Sequence, residues 1–115
     1  MAVGVGMRLG TDAEPIVRAV RTAVGDARIA CLATLDRRAI ESGIRAAAAI
    51  LGTTVVGFTA EQLAAVEVAH RSDRVSAAVG VPSVAEAAAL LAGGELVLGR
   101  TVVDGVVVAA ASVQP

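Results

Sequence analysis

The sequence predicts a three-layer α/β/α fold, in which a mostly parallel sheet with a C-terminal antiparallel hairpin lies between two layers of helices. Short apolar stretches alternate along the chain with segments of helical periodicity. Such alternation is typical of parallel strands joined by helices. The last two apolar stretches are separated only by Asp104-Gly105, a dipeptide that favours a tight hairpin. We therefore expect the final two strands to be antiparallel to each other.

The composition indicates one small domain spanning residues 1–115. Of the 115 residues, 56% are hydrophobic but only Phe58 is aromatic, so Val, Ile, Leu and Ala must fill the core. A formal net charge of −1 gives no bulk attraction for nucleic acid or an acidic membrane. We expect no membrane span, because no apolar run is long enough to cross a bilayer, and no signal peptide, because residues 1–4 carry no positively charged segment before an apolar stretch. With Cys31 as the single cysteine, we expect a soluble cytoplasmic protein without nucleic acid or membrane as a partner.

The first predicted strand and helix are joined by a turn that contains glycine. Residues 2–7 are apolar and indicate a buried strand. Residues 12–24 place their apolar side chains on one face at helical spacing, and Gly25 then ends the helix. Thr11 or Asp12 can cap the start of this helix.

The next part of the chain predicts two further strands with a helix between them. A near-continuous apolar run over residues 28–35 favours a strand that is covered on both faces. The charged residues 36–38 close this strand. We expect one alanine-rich helix over residues 39–51, ended by Gly52, and a third strand over residues 53–58.

Two capping boxes predict where helices begin in the second half of the chain. Thr59 is followed three positions later by Gln62, and Ser83 is followed at the same spacing by Glu86. At this spacing the two side chains can each accept a hydrogen bond from a backbone N–H group that the helix leaves unpaired. The second of these helices is expected to run through Leu91.

The periodicity is weak between these helices and clear again after them. Residues 66–74 are expected to form a loop, and Ser72 to begin a helical turn that ends at Gly80. Residues 95–103 and 106–113 are rich in Val and Leu and predict the two strands of the closing hairpin.

An anion site is predicted at the carboxyl ends of the parallel strands, where ligands bind in sheets of this kind. Three segments are expected to reach this edge, namely residues 6–11, 34–43 and 57–61. The first turn supplies Arg8 and backbone N–H groups at a helix N-terminus, which favours negative charge. The alternatives are a dinucleotide site and a turn without a ligand. Because the dinucleotide fingerprint needs a glycine where Leu9 stands, we expect no cofactor.

A second group of polar residues follows the second predicted strand. Thr34, Asp36, Arg38 and Glu41 offer a hydroxyl, two carboxylates and a guanidinium to a polar ligand. Asp36 or Glu41 could act as a general acid or base, whereas the alternative is an ordinary solvated strand end. No protein metal site is expected, because one histidine and one cysteine do not make the usual ligand set. Cys31 lies among apolar neighbours and is expected to be a core residue.

Four stretches, in this order, resemble one known family. They read Gly-Val-Gly-Met-Arg-Leu-Gly-Thr at residues 4–11, Leu-Ala-Thr-Leu-Asp-Arg-Arg-Ala-Ile-Glu-Ser-Gly at 32–43, Phe-Thr-Ala-Glu-Gln-Leu at 58–63 and Ser-Val-Ala-Glu-Ala-Ala-Ala-Leu at 83–90. Together they are similar to the cobalamin-biosynthesis family made up of CobE and the C-terminal domain of CbiG. The resemblance covers nearly the whole chain and implies a three-layer α/β protein that acts in corrin-ring assembly.

The resemblance implies two functions, and a third alternative stays open. A CobE-type protein would bind a corrin-ring intermediate or assist a partner enzyme of the pathway. CbiG is linked to hydrolytic opening of the lactone of cobalt-precorrin-5A with release of acetaldehyde, and then Asp36 or Glu41 would activate water. The third alternative is a non-catalytic interaction domain. We favour the first, without strong catalysis by the chain itself, and leave the enzymatic alternative open.

Some positions depart from the family's pattern, while the anion-binding residues carry over. Met7 and Leu9 stand where the family's turn commonly has a cysteine and a second basic residue, and Arg38 keeps the charge of an expected lysine. Corrin intermediates carry carboxylates around an apolar macrocycle, and helix N-termini and arginine side chains suit carboxylates. The expected ligand-binding residues are Gly6, Arg8, Gly10, Thr11, Thr34, Asp36, Arg38, Glu41 and Thr59, with Asp36 and Glu41 as the catalytic candidates.

Overall fold

The computed structural model confirms the α/β fold. It describes residues 1–73 and 83–113, without the side chains of residues 67–73. The helical turn expected to end at Gly80 lies largely outside the described residues. Within the described part of the chain, no helix is long and apolar enough to cross a membrane.

Five strands form one sheet in the order β3-β2-β1-β5-β4. The strands are β1 (Ala2–Gly6), β2 (Cys31–Leu35), β3 (Val55–Phe58), β4 (Leu96–Val103) and β5 (Val106–Ala111). β1 pairs with β2 and β2 with β3 in parallel, whereas β5 is antiparallel to both β1 and β4. Asp104 and Gly105 join β4 to β5 with φ values of 50° and 81°, which confirms the predicted tight hairpin.

Helices cover both faces of the sheet. They are α1 (Ala13–Val24), α2 (Asp36–Ala39), α3 (Ser42–Leu51), α4 (Ala60–Asp73) and α5 (Val84–Ala92). α1 and α3 pack together on one face, and α5 packs on β1, β2 and β5 from the other face with α4 beside it. The carboxyl ends of β1 and β2 therefore lie next to the start of α1 and the junction between α2 and α3.

The two faces of the sheet are packed by different side chains. The α1 and α3 face is built from branched aliphatic residues, including Val3, Ile16 and Ile44, all fully buried. The α5 face is built mainly from alanine, which brings the helix close to the sheet. A Cβ atom on Gly4 would overlap the carbonyl oxygen of Ala85. Only glycine fits at that position of β1, which accounts for one of the glycines that alternate with valine in the strand.

The structure corrects the single helix that the sequence predicts over residues 39–51. Residues 36–39 form the one-turn helix α2 instead of a charged strand end, and α3 starts only at Ser42. Glu41 breaks the helix because its backbone is extended, with φ −73° and ψ 145°. The side chain of Glu41 is directed at the turn after β1, a contact that local periodicity does not reveal.

The prediction of a loop over residues 66–74 is also wrong, because α4 continues through Asp73. Its N-terminus is closed by the predicted capping box, and its first turns are rich in Ala, Glu and Gln, which are good helix formers. Strand limits shift by two or three residues: β2 begins at Cys31 and not at residue 28, β3 at Val55 and not at residue 53, and β5 ends at Ala111 and not at residue 113.

Candidate functional site

The turn after β1 is closed by its own hydrogen bonds. The backbone N–H and the side-chain hydroxyl of Thr11 both donate to the carbonyl oxygen of Arg8, at 3.2 and 2.6 Å. Gly10 has a φ of 81°, a left-handed conformation that favours glycine. The turn leads directly into α1, whose N-cap residue is Asp12.

A carboxylate from the α2–α3 junction is bound to this turn. Glu41 Oε1 accepts the backbone N–H of Gly10 at 2.9 Å, and Oε2 accepts Arg38 Nη1 at 3.2 Å. The Glu41 side chain is 14% exposed and that of Arg38 is 27% exposed. Four of the predicted ligand-binding residues, Gly10, Thr11, Arg38 and Glu41, are therefore brought together. The N–H of Gly10 is paired with Glu41 and that of Thr11 with the carbonyl oxygen of Arg8, so neither group is free for a ligand.

Two helix N-termini meet beside this contact. Residues 9–12 and 41–43 line a shallow depression of about 210 Å³. Neither Asp12 at the start of α1 nor Glu41 at the start of α3 caps its helix with its side chain. The first backbone N–H groups of a helix have no partner within the helix, and they carry partial positive charge. An anion in the depression would meet these helix N-termini, together with the carboxylates of Asp12 and Glu41, which also line it.

The other two long helices start differently, in the way the sequence predicts. Gln62 and Thr59 exchange hydrogen bonds of 2.9 and 3.1 Å at the start of α4, and Ser83 and Glu86 do the same at 2.9 and 3.2 Å at the start of α5. Both capping boxes are confirmed. Among the four longer helices α1, α3, α4 and α5, the two without side-chain caps are thus those whose N-termini border the depression.

Close packing at Gly43 holds the two sides of the depression together. A Cβ atom on Gly43 would overlap the carbonyl oxygen of Thr11. Glycine at the start of α3 therefore allows this helix to approach the turn before α1. At the other end of the same edge, a Cβ on Gly57 would lie 3.0 Å from Ala39 Cβ, so β3 also packs closely against α2, but less tightly than α3 packs against the turn.

Leu9 lines the depression, and Arg8 and Ile40 are the chain neighbours of its lining residues Leu9 and Glu41. The Arg8 side chain is exposed and makes no hydrogen bond or ion pair within the described part of the chain. Leu9 is 75% exposed and Ile40, next to Glu41, is 73% exposed. Leu9 and Ile40 are not among the predicted site residues, although each is a large apolar residue within a polar turn, a pattern that is visible in the sequence.

The remaining predicted residues lie apart from the depression. Thr34 is 1% exposed, and its hydroxyl donates to the carbonyl oxygen of Val5 at 2.7 Å, which links β2 to β1 beneath the surface. Asp36 is exposed, and its Oδ1 accepts the backbone N–H of Arg37 at 2.7 Å. Thr59 belongs to the capping box of α4, and Gly6 ends β1 opposite Val107.

No group of residues that could hold a metal ion occurs in the described part of the chain. Cys31 is buried at the start of β2, as expected. Burial raises the pKa of the Cys31 thiol, because it disfavours the thiolate. The thiol is therefore a core group and not an activated nucleophile.

The fold and the depression define a small α/β protein with a candidate carboxylate-binding site at the carboxyl ends of its parallel strands. The chain belongs to the family described as cobalamin synthesis G C-terminus, whose model matches residues 1–111. It is a cobalamin biosynthesis protein of the CbiG and CobE type, as the sequence resemblance implied. The comparison with curated proteins gives no match.

Two solved structures support this assignment. The crystal structure of cobalamin biosynthesis protein ChiG from Agrobacterium tumefaciens is 34% identical, with a TM-score of 0.80, and the match covers 99% of this chain and 98% of that one. The crystal structure of CobE, a protein from the cobalamin (vitamin B12) biosynthetic pathway, is 28% identical, with a TM-score of 0.71. That match covers 94% of this chain and 86% of the CobE chain.

Proposed function

We propose that the protein binds a corrin-ring intermediate by a peripheral carboxylate, at the depression between the starts of α1 and α3. The observation that carries this proposal is the meeting of two helix N-termini without side-chain caps, next to a turn that also contains Arg8. A carboxylate fits there because unpaired backbone N–H groups and a guanidinium both donate to it. We further propose that residues 1–115 act as one domain, in the cytoplasm.

The size of the depression restricts which part of the ligand it can hold. A volume of about 210 Å³ is below the usual range for pockets that enclose a whole drug-sized molecule. A carboxylate arm would occupy the depression, while the macrocycle would lie outside against Leu9 and Ile40. These two side chains are among the large hydrophobic residues that the structure leaves exposed, and an apolar ring face would cover them.

The hydrogen bonds support binding more than hydrolysis. Both carboxylate oxygens of Glu41 are already engaged, by the N–H of Gly10 and by Arg38. Asp36 Oδ1 accepts the N–H of Arg37, and Asp36 is not among the residues that line the depression. A general base needs a carboxylate oxygen that can reach the water it activates. We therefore propose a role in holding an intermediate, or in presenting it to a partner enzyme of the pathway.

A titration followed by visible absorbance tests the proposal. Purified protein is titrated with precorrin-5 and with later corrin intermediates, and acetaldehyde is assayed in the same samples. A saturating spectral shift without acetaldehyde is the expected result. Release of acetaldehyde would instead show that the chain is a hydrolase, and Asp36 and Glu41 would then be the first residues to mutate. Absence of both signals would contradict the proposal, and the remaining alternative would be a non-catalytic interaction domain.

A further inference from the structure

The depression between the starts of α1 and α3 already contains a bound carboxylate, which belongs to the chain itself. Glu41 bridges two donors from different parts of the structure, the backbone N–H of Gly10 at 2.9 Å and Arg38 Nη1 at 3.2 Å. Each of its two carboxylate oxygens accepts one of these hydrogen bonds. The two donors are therefore spaced to bind the two oxygens of one carboxylate group.

The charges around the depression oppose a second anion while Glu41 stays in place. Asp12 and Glu41 both line the depression, and none of its described lining residues is basic. A ligand carboxylate would meet two like charges at short range, and the N–H of Gly10 would not be free to bind it. Departure of Glu41 removes one of these charges and leaves two donors without an acceptor. A ligand carboxylate can then satisfy both donors.

The Glu41 side chain can leave this position without disturbing α3. Its backbone is extended, with φ −73° and ψ 145°, and its side chain does not cap the helix. The backbone N–H of Glu41 donates to the carbonyl oxygen of Arg38 at 3.1 Å, and its own carbonyl oxygen accepts the N–H of Arg45 at 3.3 Å. Rotation about the side-chain bonds of Glu41 changes neither of these backbone contacts.

Arg45 offers the displaced carboxylate another partner. It lies four positions after Glu41 on α3, is exposed, and makes no ion pair within the described part of the chain. A glutamate four positions before a basic residue is the favourable order for such a pair on a helix. The Glu41 side chain therefore has two arrangements, one bonded to Gly10 and Arg38 and the other paired with Arg45.

We propose that Glu41 is an internal competitor of the ligand: it occupies the position of the ligand's carboxylate until a carboxylate arm displaces it toward Arg45. The inference rests on the proposed function, since the arm is that of the corrin-ring intermediate. In the displaced arrangement Gly10 and Arg38 bind the arm, and Arg45 is a positioning residue that acts on the ligand only through Glu41. The apparent affinity is reduced to the fraction of molecules in which Glu41 has left.

A small probe tests the displacement without a macrocycle. Isotopically labelled full chain is titrated with propionate, and the amide resonance of Gly10 and the Nε resonance of Arg38 are followed by NMR. Propionamide is the matched control, because it has the same size without the charge. We expect propionate, and not propionamide, to shift both resonances. Glu41→Ala should bind propionate at least about tenfold more tightly than the unmodified protein, because the competitor is absent.

Variants of Arg45 separate displacement from an effect of net charge. Arg45→Ala should weaken propionate binding by about twofold, since Glu41 loses its alternative partner. The same change in a Glu41→Ala background should have no effect, because the two residues act as one unit. Arg100→Ala, which removes an arginine from β4, should have no effect in either background. Equal weakening by Arg45→Ala in both backgrounds would contradict the role of Arg45.

Glu41→Gln keeps the test decisive if Glu41→Ala is too unstable, and it should also bind propionate more tightly than the unmodified protein. An affinity in these variants equal to or below that of the unmodified protein would overturn the inference, as would the absence of any shift at Gly10. Failure of the proposed function gives a different result. If propionate displaced Glu41 but no corrin intermediate changed the absorbance, the displacement would stand and the arm would belong to another carboxylate ligand.

Discussion

The carboxylate of Glu41 lies 2.9 Å from the backbone nitrogen of Gly10, a residue 31 positions away in the chain. The same carboxylate lies 3.2 Å from the guanidinium of Arg38. One side chain therefore joins the turn after β1 to the junction between α2 and α3. Both hydrogen bonds are charge-assisted because their acceptor is a carboxylate, and the one to Arg38 is also partly buried.

Replacing Glu41 with alanine should destabilise the protein. The variant leaves Gly10 N–H and Arg38 without their acceptor, and the loss of a partly buried charge-assisted hydrogen bond costs about 1–3 kcal/mol. Glu41→Gln should cost less, since its amide oxygen can still accept the N–H of Gly10. Urea unfolding followed by circular dichroism measures the change as a lower midpoint.

Glu61→Ala is a matched control for Glu41→Ala. Glu61 is an exposed carboxylate in the first turn of α4 and makes no hydrogen bond or ion pair within the described part of the chain. Its removal should change the unfolding midpoint by much less. Similar midpoints for Glu41→Ala and Glu61→Ala would show that the contact between Glu41 and Gly10 contributes little.

Replacing Gly43 with alanine should also destabilise the protein, for a steric reason. The new Cβ would overlap the carbonyl oxygen of Thr11, so α3 must move away from the turn. Overpacking of this kind costs about 1–3 kcal/mol. Gly94→Ala is the control, because its new Cβ would lie 3.6 Å from the nearest atom, an ordinary contact. If thermal unfolding gave both variants the same midpoint, close packing at Gly43 would not be needed for stability.

Where a structural feature depends on neighbouring residues, the sequence predicts it well. Asp104-Gly105 fixes the hairpin because both residues adopt positive φ, and the capping boxes at Thr59 and Ser83 use side chains three positions apart. These are local interactions, so their signal is complete within a few residues of sequence. The strand and helix order follows from such local signals.

The parts that sequence could not predict depend on distant partners. At the break between α2 and α3 the side chain of Glu41 accepts a hydrogen bond from Gly10, and no local pattern indicates that pairing. The polar residues that were predicted to cluster at the end of β2 do not all lie together, for a similar reason. Thr34 faces β1 and is buried, whereas Arg38 is carried by α2 to the depression. The residue types of the candidate site could be read from the sequence, but which of them meet could not.

Cys31 should react slowly with the thiol reagent DTNB while the protein is folded. Burial raises the pKa of this thiol above its ordinary value, so the reactive thiolate is scarcer at neutral pH than for an exposed cysteine. The rate should increase as the pH rises, with its midpoint at a higher pH than that of free cysteine. Unfolding in urea should speed the reaction by roughly tenfold or more. A folded-state rate equal to that of free cysteine would contradict the burial of Cys31.

Replacing Arg8 with alanine should weaken binding of a corrin intermediate without unfolding the protein. Arg8 is exposed and unpaired within the described residues, so its removal breaks no internal contact. A charge-assisted hydrogen bond to a ligand carboxylate is worth about 1.5–3 kcal/mol, which corresponds to a roughly ten- to hundredfold loss of affinity. Arg8→Lys should lose less, because it keeps the charge but not the two-pronged geometry.

Arg100→Ala separates a specific effect of Arg8 from an effect of net charge. Arg100 is an exposed arginine on β4, outside the proposed depression, and its side chain makes no ion pair among the described residues. The absorbance titration should give the same affinity for Arg100→Ala as for the unmodified protein. Equal losses in Arg8→Ala and Arg100→Ala would mean that the ligand responds to overall charge. An unchanged affinity in Arg8→Ala would place the carboxylate elsewhere on the molecule, because a guanidinium that binds it directly cannot be removed without loss.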